Sequence, residues 1–216
     1  MESIYIVGAS GAAKEVFLLI EQINAAKNTY AFKGFIDINP VEKSLQIGKC
    51  TYPVFDESDF VKTQTEKINI VFAIGDALVV NKITTVFKNK SNFSFPNLIH
   101  PKVYLNDSIS LGEGNVICKG SILTIDIHIK SFNYINRGVQ IGHDTAINSF
   151  NVINPSAVIS GGVTIENHNL IGTHSTILQY LSIGSKNKIG AGAVITKSIK
   201  DNFTMVGVPA KSVQNE

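Results

Sequence analysis

From Leu105 to Ile195 every sixth residue is Leu or Ile, sixteen positions in succession without a slip. Leu and Ile together make up only about a fifth of the chain, so chance does not compete with a structural repeat as the explanation. A period of six fits neither an α-helix nor an alternating strand. It fits short strands that each turn one large residue inward and then bend, as in a hexapeptide β-helix. The residue after each inward one is often Asn or Gly, as at Asn106, Gly112, Asn136, Gly142, Asn154 and Gly172. These residue types tolerate a left-handed backbone, which assigns the tight corners to that position.

A longer period lies over the first. Asn115, Asn133, Asn151, Asn169 and Asn187 recur every eighteen residues, so three hexapeptides make one coil. Stacking at the ordinary spacing of paired strands, about 4.8 Å, places these amides in one column, where hydrogen bonding from coil to coil is the reading of choice over ligand binding. A three-sided unit of this kind suits a closed cyclic trimer.

The first hundred residues follow another rule. Ile4-Tyr5-Ile6-Val7 reads as a buried strand, Gly8-Ala9-Ser10-Gly11 as a turn, and Ala12 to Ala26 as a helix with apolar residues at Val16, Leu19, Ile20 and Ile23. Gly34–Asp37 and Ile68–Gly75 read as further strands, with a helix around Asn81 to Lys88. Strands alternating with helices imply a parallel sheet. The chain thus divides into an α/β Rossmann-like domain over 1–100 and an all-β left-handed parallel β-helix of hexapeptide repeats with a carboxy-terminal tail over 101–216.

Hydrophobic residues are 44% of the chain and charged ones 17%, which excludes disorder. A net charge of +2, with both signs mixed along the chain, offers no footprint for nucleic acid. Cys50 and Cys118 show no pairing framework and no metal-ligand spacing, and both are expected to be buried thiols. No apolar run reaches the roughly 18 residues of a membrane span, and Met1–Tyr5 has no basic leader, so a cytoplasmic location is expected.

The eighteen-residue register turns the sequence into a map. His143 shares a column with Ile125, Gly161 and Gln179; Asp144 is beside it, and Gly161-Gly162 leave bare backbone above it. An imidazole with a carboxylate neighbour and open space can take a proton from a substrate, although an exposed corner residue would look the same. His174, beside Thr173 and Gly172, is the rival base, while His100, His128 and His168 have no ligand spacing and are expected to face solvent. Arg137, Pro155, Thr173, Ala191 and Pro209 form a column on the neighbouring edge, so a long cofactor touching both edges would lie between two subunits. In the amino-terminal turn, Gly8-x-Ser10-Gly11 is a weak dinucleotide signal, because Ala13 stands where GxGxxG has its last glycine.

The unbroken hexapeptides resemble those of the hexapeptide-repeat acyltransferases. The whole chain resembles the group of sialic acid O-acetyltransferases and sugar-nucleotide N-acetyltransferases (NeuD/PglD-like). The residues that carry this resemblance are Gly8-Ala9-Ser10-Gly11 with Lys14, Gly34–Asp37, Ala73-Ile74-Gly75, Asn97–Pro101, Ile141-Gly142-His143-Asp144 and Val206–Lys211. It implies an acetyl-CoA-dependent acetyltransferase acting on an amino group of a nucleotide-diphosphate sugar by direct transfer, with His143 as general base and Asp144 orienting it. It further implies that backbone near Gly161 meets the thioester carbonyl, that Thr173 and Ala191 hold the pantetheine arm, and that Pro209 and Lys211 lie near the adenine and phosphates. Gly8, Ser10, Gly11 and Asp37 would hold the nucleotide sugar, and no metal is implied. The enzyme would be a homotrimer with active sites between subunits, serving polysaccharide or glycan biosynthesis. O-acetylation of a sugar hydroxyl, as of a sialic acid, is the alternative reaction, and a non-catalytic sugar-nucleotide-binding scaffold is the alternative class. Two departures bear on the acceptor: Val152 stands where many relatives have a histidine, and Ala12-Ala13 where they often have His-Gly.

Overall fold

The computed structural model describes residues 1–213. The repeat folds as a three-sided parallel β-helix whose sides are built from two-residue strands. Face one stacks Leu98–Ile99, Val116–Ile117, Tyr134–Ile135, Val152–Ile153, Leu170–Ile171 and Lys188–Ile189. Face two runs from Ile122–Leu123 to Val194–Ile195, and face three from Ser110–Leu111 to Ser182–Ile183. In each strand the second residue is the Ile or Leu of the six-residue period, and from Ile117 to Ile195 these side chains fill the interior at 5% exposure or less. Burying each one stabilises the coil by roughly 1.5–3 kcal/mol.

The corners differ from the sequence expectation. The left-handed residues lie three positions after the inward one, at Asp126, Phe132, Asp144, Phe150, Ser156, His168, His174, Tyr180 and Lys186, and at Gly114, Gly138 and Gly162. The glycines directly after the inward residue answer to close approach instead: a Cβ on Gly142 would lie 2.5 Å from the amide nitrogen of Gly161. The asparagine ladder is structural. Each Asn oxygen accepts the backbone N–H of the next Asn eighteen residues on, at 2.8 or 2.9 Å, from Asn97 up to Asn187. Asn115 to Asn187 are all buried, and pairing there avoids the roughly 1–3 kcal/mol cost of an orphaned amide.

The eighteen-residue register ends after Ile195. The next coil is two residues shorter, pairing Ile183 with Ile199 and Ile189 with Met205, which brings an apolar residue inward where strict repetition would bring Asp201. A hairpin of Thr204–Val206 with Lys211–Val213 closes the top of face one.

The amino-terminal domain has the elements β1 (Glu2–Val7), α1 (Gly11–Ala26), β2 (Tyr30–Asp37), β3 (Ser44–Ile47), β4 (Cys50–Asp56), α2 (Glu57–Thr63), β5 (Ile68–Phe72), α3 (Ala77–Lys88) and β6 (Phe93–Ser94). The sheet order is β3-β4-β2-β1-β5-β6, parallel except for the β3–β4 hairpin. This hairpin and α2 have no counterpart among the elements expected from the sequence pattern. Helix α3 starts four residues before the expected Asn81, where Asp76 caps it by accepting the N–H groups of Leu78 and Val79.

Face one carries this domain because its outward residues are apolar. Leu98, Val116, Tyr134 and Val152 are buried with Ala13, Val16 and Ile20 of α1. At the corner between faces three and one, Phe132, Phe150 and His168 stack with ring centroids 5.3 Å apart, and Phe72 and Phe95 pack edgewise on Phe132. No helix among the described residues is long and apolar enough to cross a membrane.

Candidate active site

His143 and Asp144 stand on the corner between faces two and three, opposite face one, with about half of each side chain or more in solvent. Asp144 takes the left-handed conformation, with φ 55°. Thr145 braces the turn by donating its hydroxyl to the carbonyl of Gly142 at 2.8 Å. Nδ1 of His143 lies 2.7 Å from Oδ2 of Asp144. An ionised carboxylate only accepts, so Nδ1 carries the proton of the neutral ring and Nε2 presents its lone pair.

The imidazole lies directly on Gly161, where a Cβ would sit 2.5 Å from Nε2. The next coil completes the step: Gly162 donates its N–H to the carbonyl of His143 at 2.7 Å, and the Gly161 carbonyl accepts from Tyr180 at 3.0 Å. The Gly161 N–H has no backbone acceptor among the described residues. A side chain on Gly162 would collide with the ring of Tyr180, so an imidazole from below and a phenol from above flank the diglycine step. Tyr180 is 73% exposed and belongs to no motif, so sequence reasoning misses it; its place eighteen residues after Gly162 is the signal that could have found it.

Thr173 and Ala191 occupy the other edge of face two, one coil apart, with Gly192 donating to the carbonyl of Thr173 at 2.8 Å. Pro209 does not continue their column. The short last coil puts Gly207 in that place, its carbonyl accepting the N–H of Val194 at 3.0 Å, while Pro209 lies exposed in the closing hairpin and Lys211 pairs with Val206. The structure thus brings His143, Asp144 and Gly161 together, sets Thr173 and Ala191 across face two, and carries Pro209 and Lys211 to the top of the prism.

The amino-terminal residues form a separate cluster. Gly8 has φ 110°, and a Cβ there would lie 2.8 Å from the carbonyl oxygen of Ala73. Ser10 is the N-cap of α1 without a side-chain capping bond, and both Ser10 and Gly11 are exposed. Asp37 ends β2, its Oδ1 accepting the N–H of Ile38 at 2.8 Å. The chain passes from β1 to β2 on one side and meets β5 on the other, so these residues border the crevice at the carboxyl ends of the strands where the connections diverge. The crevice belongs to the domain docked on face one, away from the His143 corner of the same chain. Val152 is buried at the seam beside Ile74 and Ala77.

The remaining histidines and cysteines divide differently from the expectation. His100 is buried, its Nδ1 accepting the N–H of Lys102 at 3.1 Å, and His168 is half-buried, with burial and then Lys186 lowering its pKa. His128 is exposed and paired with Ser110 at 2.7 Å, and His174 is exposed without a carboxylate bonded to it among the described residues. Cys50 is exposed rather than buried, because β3–β4 is an edge hairpin; Cys118 is buried, which pushes its thiol up to about 12 and makes it a poor nucleophile.

Residues 3–87 match the family described as the PglD N-terminal domain. Over its whole length the chain superposes on WeeI from Acinetobacter baumannii AYE, with 28% identity, a TM-score of 0.87, and coverage of 99% of this chain and 100% of that one. The acetyltransferase domain of PglB from Neisseria gonorrhoeae FA1090, solved with acetyl coenzyme A, gives 26% identity, a TM-score of 0.85, and coverage of 98% and 99%. A histidine-to-asparagine variant of perosamine N-acetyltransferase from Caulobacter crescentus, solved with CoA and GDP-perosamine, gives 25% identity, a TM-score of 0.85, and coverage of 100% and 98%. No curated protein matches the sequence.

Proposed function

From a chain that is a hexapeptide-repeat sugar acyltransferase of the NeuD/PglD-like group, we propose that it transfers acetyl from acetyl-CoA to an amino group of a nucleotide-diphosphate sugar. The observation that carries this reading is the His143–Asp144 pair laid against the bare backbone of Gly161. Nε2 of His143 takes a proton from the sugar amine as its nitrogen attacks the thioester carbonyl. The C–N bond forms, the C–S bond breaks, and CoA leaves as the thiolate, which receives the proton. The N–H of Gly161, which has no backbone acceptor among the described residues, would donate to the oxyanion. Neither cysteine suits a covalent route: Cys118 is held protonated and Cys50 lies on the distant edge hairpin.

Residues 1–100 bind the nucleotide sugar through Gly8, Ser10, Gly11 and Asp37, and residues 101–216 carry out transfer. Thr173 and Ala191 hold the pantetheine arm, and Pro209 and Lys211 lie toward the nucleotide end of CoA. The prism argues for a homotrimer: face one is covered by the chain's own domain, while face two, with Ile122 exposed, lies open between the His143 and Thr173 edges. An acceptor held on face one is turned away from its own His143, so the active site needs a second protomer. A cytoplasmic location fits a reaction fed by acetyl-CoA.

Steady-state assays with paired amino- and hydroxy-sugar nucleotides test the reaction: CoA release with the amino sugar alone is expected, and release with the hydroxy sugar alone would replace N- by O-acetylation. His143→Ala is expected to lower kcat by roughly 100- to 10,000-fold with CoA binding retained, and a near-normal rate would remove His143 from the mechanism.

A further inference from the structure

Aromatic residues at the left-handed corners of this prism are treated in two ways. At the corner between faces three and one, Phe132 and Phe150, with φ 60° and 62°, stack on each other, and Phe72 and Phe95 pack edgewise on Phe132. At the corner between faces two and three, Tyr180 has the same backbone, φ 59°, yet 73% of it is in solvent. Leu178, two residues earlier, is exposed as well, so the coils above His143 end in an apolar ledge. A side chain of the kind that buries about 150–250 Å² elsewhere is thus bare beside the catalytic pair.

The ring is fixed relative to the base. Tyr180 donates its N–H to the carbonyl of Gly161 at 3.0 Å, and its ring covers Gly162, where a Cβ would sit 2.6 Å from Cε1. His143 uses Gly161 in the same way, its Nε2 lying 2.5 Å from where that Cβ would be. Consecutive Cα atoms are roughly 3.8 Å apart, so Nε2 of His143 and Cε1 of Tyr180 stand no more than about 12 Å from each other. A hydrogen bond of about 3 Å from an amine to Nε2, the sugar ring that bears the amine, and one stacking distance of about 4.5 Å fit within that span.

We propose that Tyr180 is the platform on which the sugar ring of the acceptor stacks while its amine reaches His143. The proposal rests on the reading of the acceptor as a nucleotide-linked amino sugar. A pyranose has C–H bonds on its faces and hydroxyls on its rim; the phenol offers an apolar face to the first and an O–H to the second. Tyr180 meets the sugar alone, because the nucleotide is held in the crevice of a neighbouring protomer and CoA runs along the Thr173 edge. By fixing how the sugar is turned, the ring determines that the amine, and not a hydroxyl beside it, is presented to Nε2.

Kinetics and a fluorescent reporter test the platform together. Tyr180→Ala is expected to raise KM for the amino-sugar nucleotide roughly five- to tenfold, with KM for acetyl-CoA and the melting temperature unchanged. Tyr180→Phe keeps the ring and is expected to recover most of the affinity. The chain contains no tryptophan, so Tyr180→Trp supplies a single fluorophore. Its emission is expected to change with a GDP-, UDP- or dTDP-linked amino sugar, and not with GDP, UDP, dTDP or CoA. A reporter silent to every sugar nucleotide, or one that answers equally to the bare diphosphates or to CoA, would overturn the platform; so would a rise in KM confined to acetyl-CoA. The platform and the reaction fail separately. A reporter that answers to the sugar in a protein that acetylates no amino sugar keeps the platform and discards the activity, whereas acetylation with an unchanged sugar KM in Tyr180→Ala does the reverse.

Discussion

Faces one and two of the prism have the same two-residue strands and the same inward isoleucines, yet one is buried under a domain and the other lies open. They differ in the residue just before the inward one. On face one it is Leu98, Val116, Tyr134, Val152 and Leu170; on face two it is Ile122, Gln140, Val158, Thr176 and Val194. The inward residue of a hexapeptide determines that a coil forms, and the outward residue determines what that coil meets. A continuous apolar column recruits the chain's own helix α1, and a mixed column bordered by His143 and Thr173 is left open.

The comparison breaks most sharply at Val152. Val152→Asp puts a charge into a buried seam whose lining residues include no cation, and is expected to cost about 3 kcal/mol or more in urea denaturation. The matching change on face two, Val158→Asp, is expected to leave the folded protomer within about 1 kcal/mol of wild type and to weaken self-association in sedimentation analysis. Equal destabilisation by the two changes would erase the distinction between the faces.

Next in size is the edge of face two. Gly161→Ala places a Cβ 2.5 Å from Nε2 of His143, so the ring must move. A shift of about 1 Å at a reacting group costs on the order of a hundredfold in kcat, measurable by steady-state kinetics with the melting temperature unchanged. The ladder beneath both faces comes third: Asn151→Ala removes the acceptor of Asn169 and is expected to destabilise by about 2 kcal/mol without affecting one face more than the other.

Near neutral pH the thiols give the smallest effect. Cys118 lies at the edge of face one under α1 and keeps its proton up to about pH 12, while in the unfolded chain a thiol ionises near 8.5. Between those values the unfolded state holds fewer protons than the folded one, so stability falls as pH rises through this window and is unaffected below it. A thiol reagent at pH 8 is expected to modify Cys50 rapidly and Cys118 only on unfolding.

The parts of the fold that repeat were legible because each repeat states its own geometry: the inward isoleucines, the asparagine column, and the placement of Gly161 over His143 all follow from a register of eighteen. The register failed where the chain stops obeying it. Two residues fewer in the last coil moved Pro209 out of the Thr173 column, and sequence periodicity has no term for a coil shortened to keep Asp201 out of the core. The left-handed corners were misplaced because their residues are Phe, His, Tyr and Lys as often as Gly, held in that conformation by coil-to-coil hydrogen bonds rather than by their own preference.

The central claim is that a base on one protomer serves an acceptor held by its neighbour, and mixed trimers test it most directly. His143→Ala chains and chains blocked in the crevice by Gly11→Trp with Asp37→Ala are each expected to be nearly inactive. Co-refolded at equal amounts, they are expected to regain about a quarter of the wild-type rate, because a random cyclic trimer pairs an intact base with a neighbouring intact crevice at one site in four. No recovery in trimers shown to be mixed would place base and acceptor in the same chain and contradict the account.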